Sequence, residues 1–386
     1  MKSRIFFIAL IAVMAGTVLL AQAKRGQRLN PMVDLLEQHK VIVGGVPASY
    51  PRPQGAGGGG GGRGAGGEAA AATTPAPDAC GLTPAPRGEG GAGGARGPGG
   101  GGAPGAAGAP GGGGRGAGFT PPAPAAASME EAMKLTLGLK QSDFLNGSME
   151  GGVDNAIEAF SATMKALSAA GALAKMPFPH LLQPYYVKTP KISRDPAKAI
   201  LNISKQLNSG LSGVIMVAVD CAREVQLGHA AMRPKSKGGT RPAEYGDAPA
   251  YWGLSAKEYE QKADVWGLNP DGELVSWVII ESREGLKNIR EIAKEKGIGV
   301  LISGAGTLGG VLRNDPDPDA WEKAQQTILA ACKEFKVNCG FPASTPEVIE
   351  SRFKQGFNVF VLQSWSQPSF DTMAKGRALG GRAANN

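Results

Sequence analysis

Eight short apolar runs, each with a helical stretch somewhere after it, constrain this chain more than any other feature. They fall at about 41–43, 143–149, 185–188, 213–219, 276–281, 299–303, 338–341 and 358–363. Most are continuously apolar rather than alternating, the pattern of strands covered on both faces of a parallel sheet. Helical stretches are expected at about 154–170, 195–207, 222–232, 284–296, 319–335 and 346–355, with Asp195 capping a helix that opens on Pro196. Eight such units in about 270 ordered residues match a (β/α)8 TIM barrel. An open doubly wound sheet that bound a dinucleotide would carry G-x-G-x-x-G after its first strand, and no such motif opens a helix there.

Four segments follow from composition. Residues 1–23 read as a leader: Lys2 and Arg4, an uncharged apolar run over 5–20, and Ala21-Gln-Ala23 before Lys24. An exported mature chain beginning at Lys24 is expected, with an uncleaved anchor as the alternative. Residues 24–50 hold a helix, PMVDLLEQHK, capped by Asn30, and the first strand. Residues 51–127 are mostly Gly, Ala and Pro with five arginines and almost no large apolar side chains. Such sequence cannot offset its ordering entropy, so a disordered insertion after the first strand is expected. The barrel then resumes over 128–386.

Charge and cysteines exclude several function classes. The net charge is +8, but eleven of the 41 basic residues and only five of the 33 acidic ones precede residue 120. The remainder is close to neutral, with no basic stripe interleaved with aromatics, so no nucleic-acid partner is expected. Cys80 lies in the Gly-rich segment, and Cys221, Cys332 and Cys339 lie in the folded part. No C-x-x-C occurs and the three histidines are scattered, which argues against zinc. Export permits disulfides, but the spacing shows no dense framework, so buried free thiols are expected.

Chemistry is sought at strand C-terminal ends, where parallel α/β proteins place it. The run SWVIIE delivers Glu281 to a turn. The next run, IGVLIS, opens into GAGTLGG at 304–310, read as a glycine-rich turn whose N–H groups suit a carboxylate. Lys188 ends the run YYVK, and Glu150 follows the run at 143–149. The excursion over 233–275 carries Arg241, Trp252 and Trp266, with the tryptophans expected in packing.

These residues carry a family resemblance. IESREGLKN at 280–288 is similar to "I-E-T-x-E-A-x-x-N", LISGAGTL at 301–308 to "F-I-G-P-A-D-L-S", and GFNVFVL at 356–362 to "G-F-x-x-V-x-V". MEG at 149–151 falls on "x-E-H", YVKTP at 186–190 on "V-V-R-x-P", and Arg241 on a "G-x-R-G" loop. Together they resemble the HpcH/HpaI aldolase (aldolase/citrate-lyase-like) family. The resemblance implies a TIM barrel, homo-oligomerisation, and Mg²⁺- or Mn²⁺-dependent carbon–carbon lyase chemistry on a 2-oxo acid or related small carboxylate through an enolate. It implies Glu281 as metal ligand, Lys188 and Glu150 as catalytic residues, and Gly304, Ala305, Gly306 and Arg241 around the substrate. The family's second metal-binding carboxylate falls on Gly306, its histidine on Gly151 and its arginine on Lys188. Asp315, in the adjacent loop, is the candidate replacement ligand. Two readings stay open: an altered lyase, and a non-catalytic barrel that binds a small carboxylate.

Overall fold

The computed structural model describes residues 27–50, 80–81 and 126–383. The expected leader, and the Gly-rich insertion apart from its residues 80, 81, 126 and 127, lie outside the described residues. Asn30 caps α1 (Pro31–Glu37) through the Met32 N–H, with Pro31 in the first turn. The chain then enters β1 (Ile42–Gly45). After the insertion come α2 (Met129–Gly138), β2 (Leu145–Ser148) and α3 (Val153–Ala169), then a two-stranded antiparallel pair, β3 (Leu173–Ala174) and β4 (His180–Leu181). The barrel continues with β5 (Tyr185–Thr189), α4 (Pro196–Asn208), β6 (Gly213–Met216) and α5 (Ala222–Met232).

The excursion forms α6 (Ala248–Tyr251) and α7 (Ala256–Lys262). Then follow β7 (Val275–Ile280), α8 (Arg283–Lys287), α9 (Ile289–Ala293), β8 (Ile298–Ser303) and α10 (Ala305–Leu312). The chain ends with α11 (Ala320–Phe335), β9 (Asn338–Pro342), α12 (Pro346–Gln355), β10 (Val359–Leu362) and α13 (Gln367–Leu379).

Eight strands close a parallel barrel in the order β1-β10-β9-β8-β7-β6-β5-β2, so the expected (β/α)8 architecture holds. Alternate residues of each strand fill the interior, where Phe144, Tyr186 and Trp277 pack ring to ring at 5.1–6.2 Å. Met32, Val33 and Leu36 of α1 join this cluster. Because α1 precedes β1, it plugs the N-terminal end. α13 returns to that seam: Arg377 and Arg382 both reach the buried Asp143, at 2.7 and 2.6 Å. Among the described residues no helix is long and apolar enough to cross a membrane.

Three expectations change. GAGTLGG is not a turn: its residues from Ala305 onward are the body of α10. The single helix expected at 284–296 is two short helices, α8 and α9, with Asn288 ending one and starting the other. The cysteines are not free thiols: Cys80 pairs with Cys221 and Cys332 with Cys339, at Cα separations of 5.8 and 5.7 Å. The first bond spans 141 residues, a distance over which spacing gives no warning.

Candidate active site

β7 is buried along its whole length, and its alternation turns Trp277, Ile279 and then Glu281 toward the barrel axis. β8 ends beside it, and the Glu281 side chain lies against Gly304. A Cβ at Gly304 would sit 2.3 Å from Glu281 Oε1, so only glycine fits beneath this carboxylate. On the facing wall, β5 and β2 bring Lys188 and Glu150 to 3.6 Å from one another. Asn146, Lys188, Trp277, Glu281, Gly304, Gly306, Thr307 and Gln363 are among the residues lining a cavity of about 320 Å³ in the C-terminal mouth. Ala305 follows directly as the first residue of α10.

Five of the seven expected site residues therefore meet here: Glu281, Lys188, Gly304 and Gly306 line the cavity, and Glu150 stands at its rim through Lys188. Arg241 does not. It follows α5 and precedes β7, which puts it at the N-terminal end. There it is fully buried, bonded to Asn208 Oδ1 at 2.8 Å and the Tyr259 hydroxyl at 3.1 Å, and stacked on Tyr245 and Tyr259. The excursion's tryptophans stay at that end too. Trp252 donates to Gly210 O and Trp266 to Glu37 Oε1.

Glu281 is only 6% exposed. Burial pushes its carboxyl above the usual range; Lys188 opposes that shift, Glu150 adds to it, and hydrogen bonds from Thr307 and the Ala218 N–H oppose it. The Ala218 bond, 3.1 Å to Glu281 Oε2, comes from a strained residue: Ala218 has φ +49°. A non-glycine residue in this region costs roughly 1–2 kcal/mol. What holds it is Lys191, which donates to Ala218 O at 2.8 Å and pairs with Asp220. Asp220 in turn accepts from Ser282, the residue after Glu281. The turn after β6 is thus built to present one N–H to one carboxylate oxygen.

The donor set fits a divalent cation held lightly. Glu281 supplies a carboxylate whose Oε2 accepts from the Ala218 N–H and which also bonds Thr307, and Glu150 stands close enough to raise its pKa. The cavity has room for an ion that keeps several waters. Asp315 is not a second ligand: it binds Arg283 at 2.6 Å and does not line the cavity. Gly306 contributes no side chain, and a Cβ built on it, as on Gly151, meets nothing within 4 Å.

Sequence reasoning missed Asn146, Trp277, Thr307 and Ala218. Counting back by twos would have found the first two: Trp277 lies four residues before Glu281 and Asn146 four before Glu150, on inward-facing positions. Nothing local predicts a left-handed alanine at position 218.

The model of the HpcH/HpaI aldolase/citrate lyase family matches residues 128–358. No curated protein matches the chain. Among solved structures, an HpcH/HpaI aldolase/citrate lyase family protein from Burkholderia cenocepacia is similar at 21% identity and TM-score 0.49, covering 65% of this chain and 90% of that one. An HpcH/HpaI aldolase from Desulfitobacterium hafniense is similar at 15% identity and TM-score 0.47, covering 61% and 81%. The citrate lyase beta subunit from M. tuberculosis, complexed with oxaloacetate and magnesium, is similar at 16% identity and TM-score 0.38, covering 61% and 88%. The family match takes in more than half of the 386 residues and runs from before β2 to the edge of β10. On that match, the chain belongs to the HpcH/HpaI aldolase/citrate lyase family.

Proposed function

We propose that the protein is a divalent-metal-dependent carbon–carbon lyase that cleaves or forms the bond next to a 2-oxo acid. The observation that carries this reading is the buried Glu281 carboxylate facing Lys188 across one cavity at the C-terminal mouth. A Mg²⁺ or Mn²⁺ ion at Glu281 would supply Lewis acidity toward the keto and carboxylate oxygens of the acid.

The remaining chemistry falls to the chain's own groups. In the cleavage direction a 4-hydroxy-2-oxo acid loses its C3–C4 bond. The electron pair passes into an enolate, C4 leaves as an aldehyde, and the hydroxyl proton goes to a base. Glu150 is the base, since its carboxylate is half exposed and already held by Lys188. Lys188 provides the positive charge opposite the developing oxyanion, as a point charge rather than the planar fork of an arginine. The enolate then takes a proton at C3 to give the free 2-oxo acid. Residues 1–23 and the two disulfides support an exported protein, and the family supports a homo-oligomer.

A binding-only barrel is favoured by one observation, the empty positions at Gly306 and Gly151. Hydrogen–deuterium exchange at the pyruvate methyl group separates the two. The lyase reading expects exchange that requires Mg²⁺ or Mn²⁺ and disappears in Glu281→Ala. Methyl protons that stay unexchanged with either metal, while pyruvate still binds, would establish the binding-only barrel.

A further inference from the structure

The turn after β6 fixes three consecutive N–H groups, and the lyase reading uses one of them. Ala218 donates to Glu281 at 3.1 Å, Val219 to the Ile279 carbonyl at 3.1 Å, and Asp220 to Glu224 Oε1 at 2.9 Å. Glu224 is fully buried in the first turn of α5, and its other oxygen accepts from the Ser193 N–H at 3.1 Å. One carboxylate therefore joins the turn after β5 to the turn after β6. Lys191 closes the same cluster, 2.8 Å from the Ala218 carbonyl, 3.7 Å from Glu224 and paired with Asp220.

A disulfide sits on this cluster. Cys221 precedes α5 but gives the helix no side-chain cap; its sulfur is bonded to Cys80 instead. Cys80 Sγ lies 3.4 Å from Glu224 Oε1, the oxygen that holds the Asp220 N–H. The other disulfide joins Cys332, near the end of α11, to Cys339 in β9, a separation of 7 residues. A helix end and the strand that follows it lie at the N-terminal end of the barrel, away from Glu281.

We propose that the Cys80–Cys221 disulfide is a redox switch that sets how Glu281 is presented to the cavity. A dithiol reductant throws it. The two sulfurs of the dithiol attack in succession, the Cys80–Cys221 bond breaks, and the dithiol closes to a cyclic disulfide. Two electrons and two protons pass to the protein, leaving two thiols.

The effect travels through contacts already described. Cys80 shields a buried carboxylate, and with the bond open water competes with the Asp220 N–H for Glu224 Oε1. The turn then loses one of the bonds that hold Ala218 at φ +49°. A strained residue persists only while its surroundings over-determine it, so the turn relaxes and the Ala218 N–H leaves Glu281. The consequence for metal rests on the reading that Glu281 holds a divalent cation; the consequence for the turn does not.

The test uses the full-length, metal-free protein carrying Cys332→Ser and Cys339→Ser, which leaves one disulfide to reduce. Amide deuterium uptake is followed by mass spectrometry with that bond oxidised, reduced by dithiothreitol, and reoxidised. Mn²⁺ affinity is measured by calorimetry in the same three states, after the dithiol is removed. Reduction should speed uptake over residues 218–220 roughly tenfold, leave α1 unchanged and weaken Mn²⁺ several-fold, and reoxidation should restore both. Cys80→Ser with Cys221→Ser should match the reduced protein and ignore the dithiol. Compared with the wild type, that variant keeps the test valid should Cys332→Ser and Cys339→Ser fail to fold. The proposal is overturned if uptake over 218–220 does not change. It is overturned equally if α1 loosens as much, which would make the bond a general staple, or if the turn loosens while Mn²⁺ binds as before. Mn²⁺ binding in neither state would sink the metal reading at Glu281 and leave uptake to decide the switch.

Discussion

At the N-terminal end of the barrel Arg28 and Glu273 are buried and engaged; at the C-terminal end Lys188 and Glu150 are half open and share a void. Arg28 shows the first condition, reaching Glu37 at 2.5 Å and the carbonyls of Gly272 and Pro270 at 3.2 and 2.7 Å. Asn30 bonds the Tyr186 hydroxyl and the Glu273 carbonyl while capping α1. Lys188 and Glu150 show the second, 34% and 46% exposed around a cavity. One end spends its polar groups on closure, and the other keeps them available. The difference separates stability from chemistry along one axis, as expected of this architecture.

Glu273 offers the hardest way to break that separation. It is 1% exposed and accepts from the N–H groups of Asn30 at 3.0 Å and Leu29 at 3.3 Å, with Arg28 and Lys262 at 3.9 and 3.7 Å. Glu273→Ala leaves two buried N–H groups without their acceptor and removes a buried countercharge 3.9 Å from Arg28, so a loss of about 3–5 kcal/mol is expected in urea unfolding. Mn²⁺ affinity measured below the new unfolding midpoint should not move. A loss under ~1 kcal/mol would mean that the plug is dispensable.

His229 gives a smaller and pH-dependent effect at the same end. It is buried against Ser276 at the start of β7, its Nε2 2.9 Å from the hydroxyl, and burial with nearby Arg233 lowers its pKa to about 4. The unfolded chain takes up this proton near pH 6.5 and the native state only near 4. Its stabilising contribution is therefore complete above pH 6.5 and declines as pH falls toward 4, by about 2 kcal/mol at pH 5. Glu224, Glu273 and Glu281, all raised by burial, act in the opposite direction. The comparison is thus with His229→Gln, whose stability should fall less between pH 7.5 and 5. Equal falls in both proteins would refute a buried neutral imidazole.

Legibility in the sequence follows the same division. The strands could be read because residues covered on both faces must be apolar along their length, and Glu281 and Lys188 because each ends such a run. α10 was hidden by three glycines within AGTLGGVL, which lower helix propensity without preventing a helix that docks on α11. Arg241 was misplaced because motif matching ignores direction. A helix following a strand returns the chain to the opposite end, so whatever follows α5 before β7 cannot face the mouth. The Cys80–Cys221 bond and the left-handed Ala218 depend on tertiary contacts alone.

The smallest expected effect is the most informative about the open end. Gly306 lines the cavity in the first turn of α10, and a Cβ there meets nothing within 4 Å. Gly306→Asp should therefore fold. Replacing glycine inside a helix gains propensity, and a carboxylate in the first turn suits the helix dipole, so stability should hold or rise by up to about 1 kcal/mol. A second carboxylate beside Glu281 should tighten Mn²⁺ roughly tenfold, ~1.4 kcal/mol, read by calorimetry or by the loss of free-ion resonance signal. Tighter metal with faster pyruvate exchange would mean that the native site is a lyase limited by its single buried ligand. Tighter metal with slower exchange would mean that the open position serves a substrate needing that room. Unchanged affinity would show that the ion does not lie between Glu281 and α10, and would shift the metal toward Glu150.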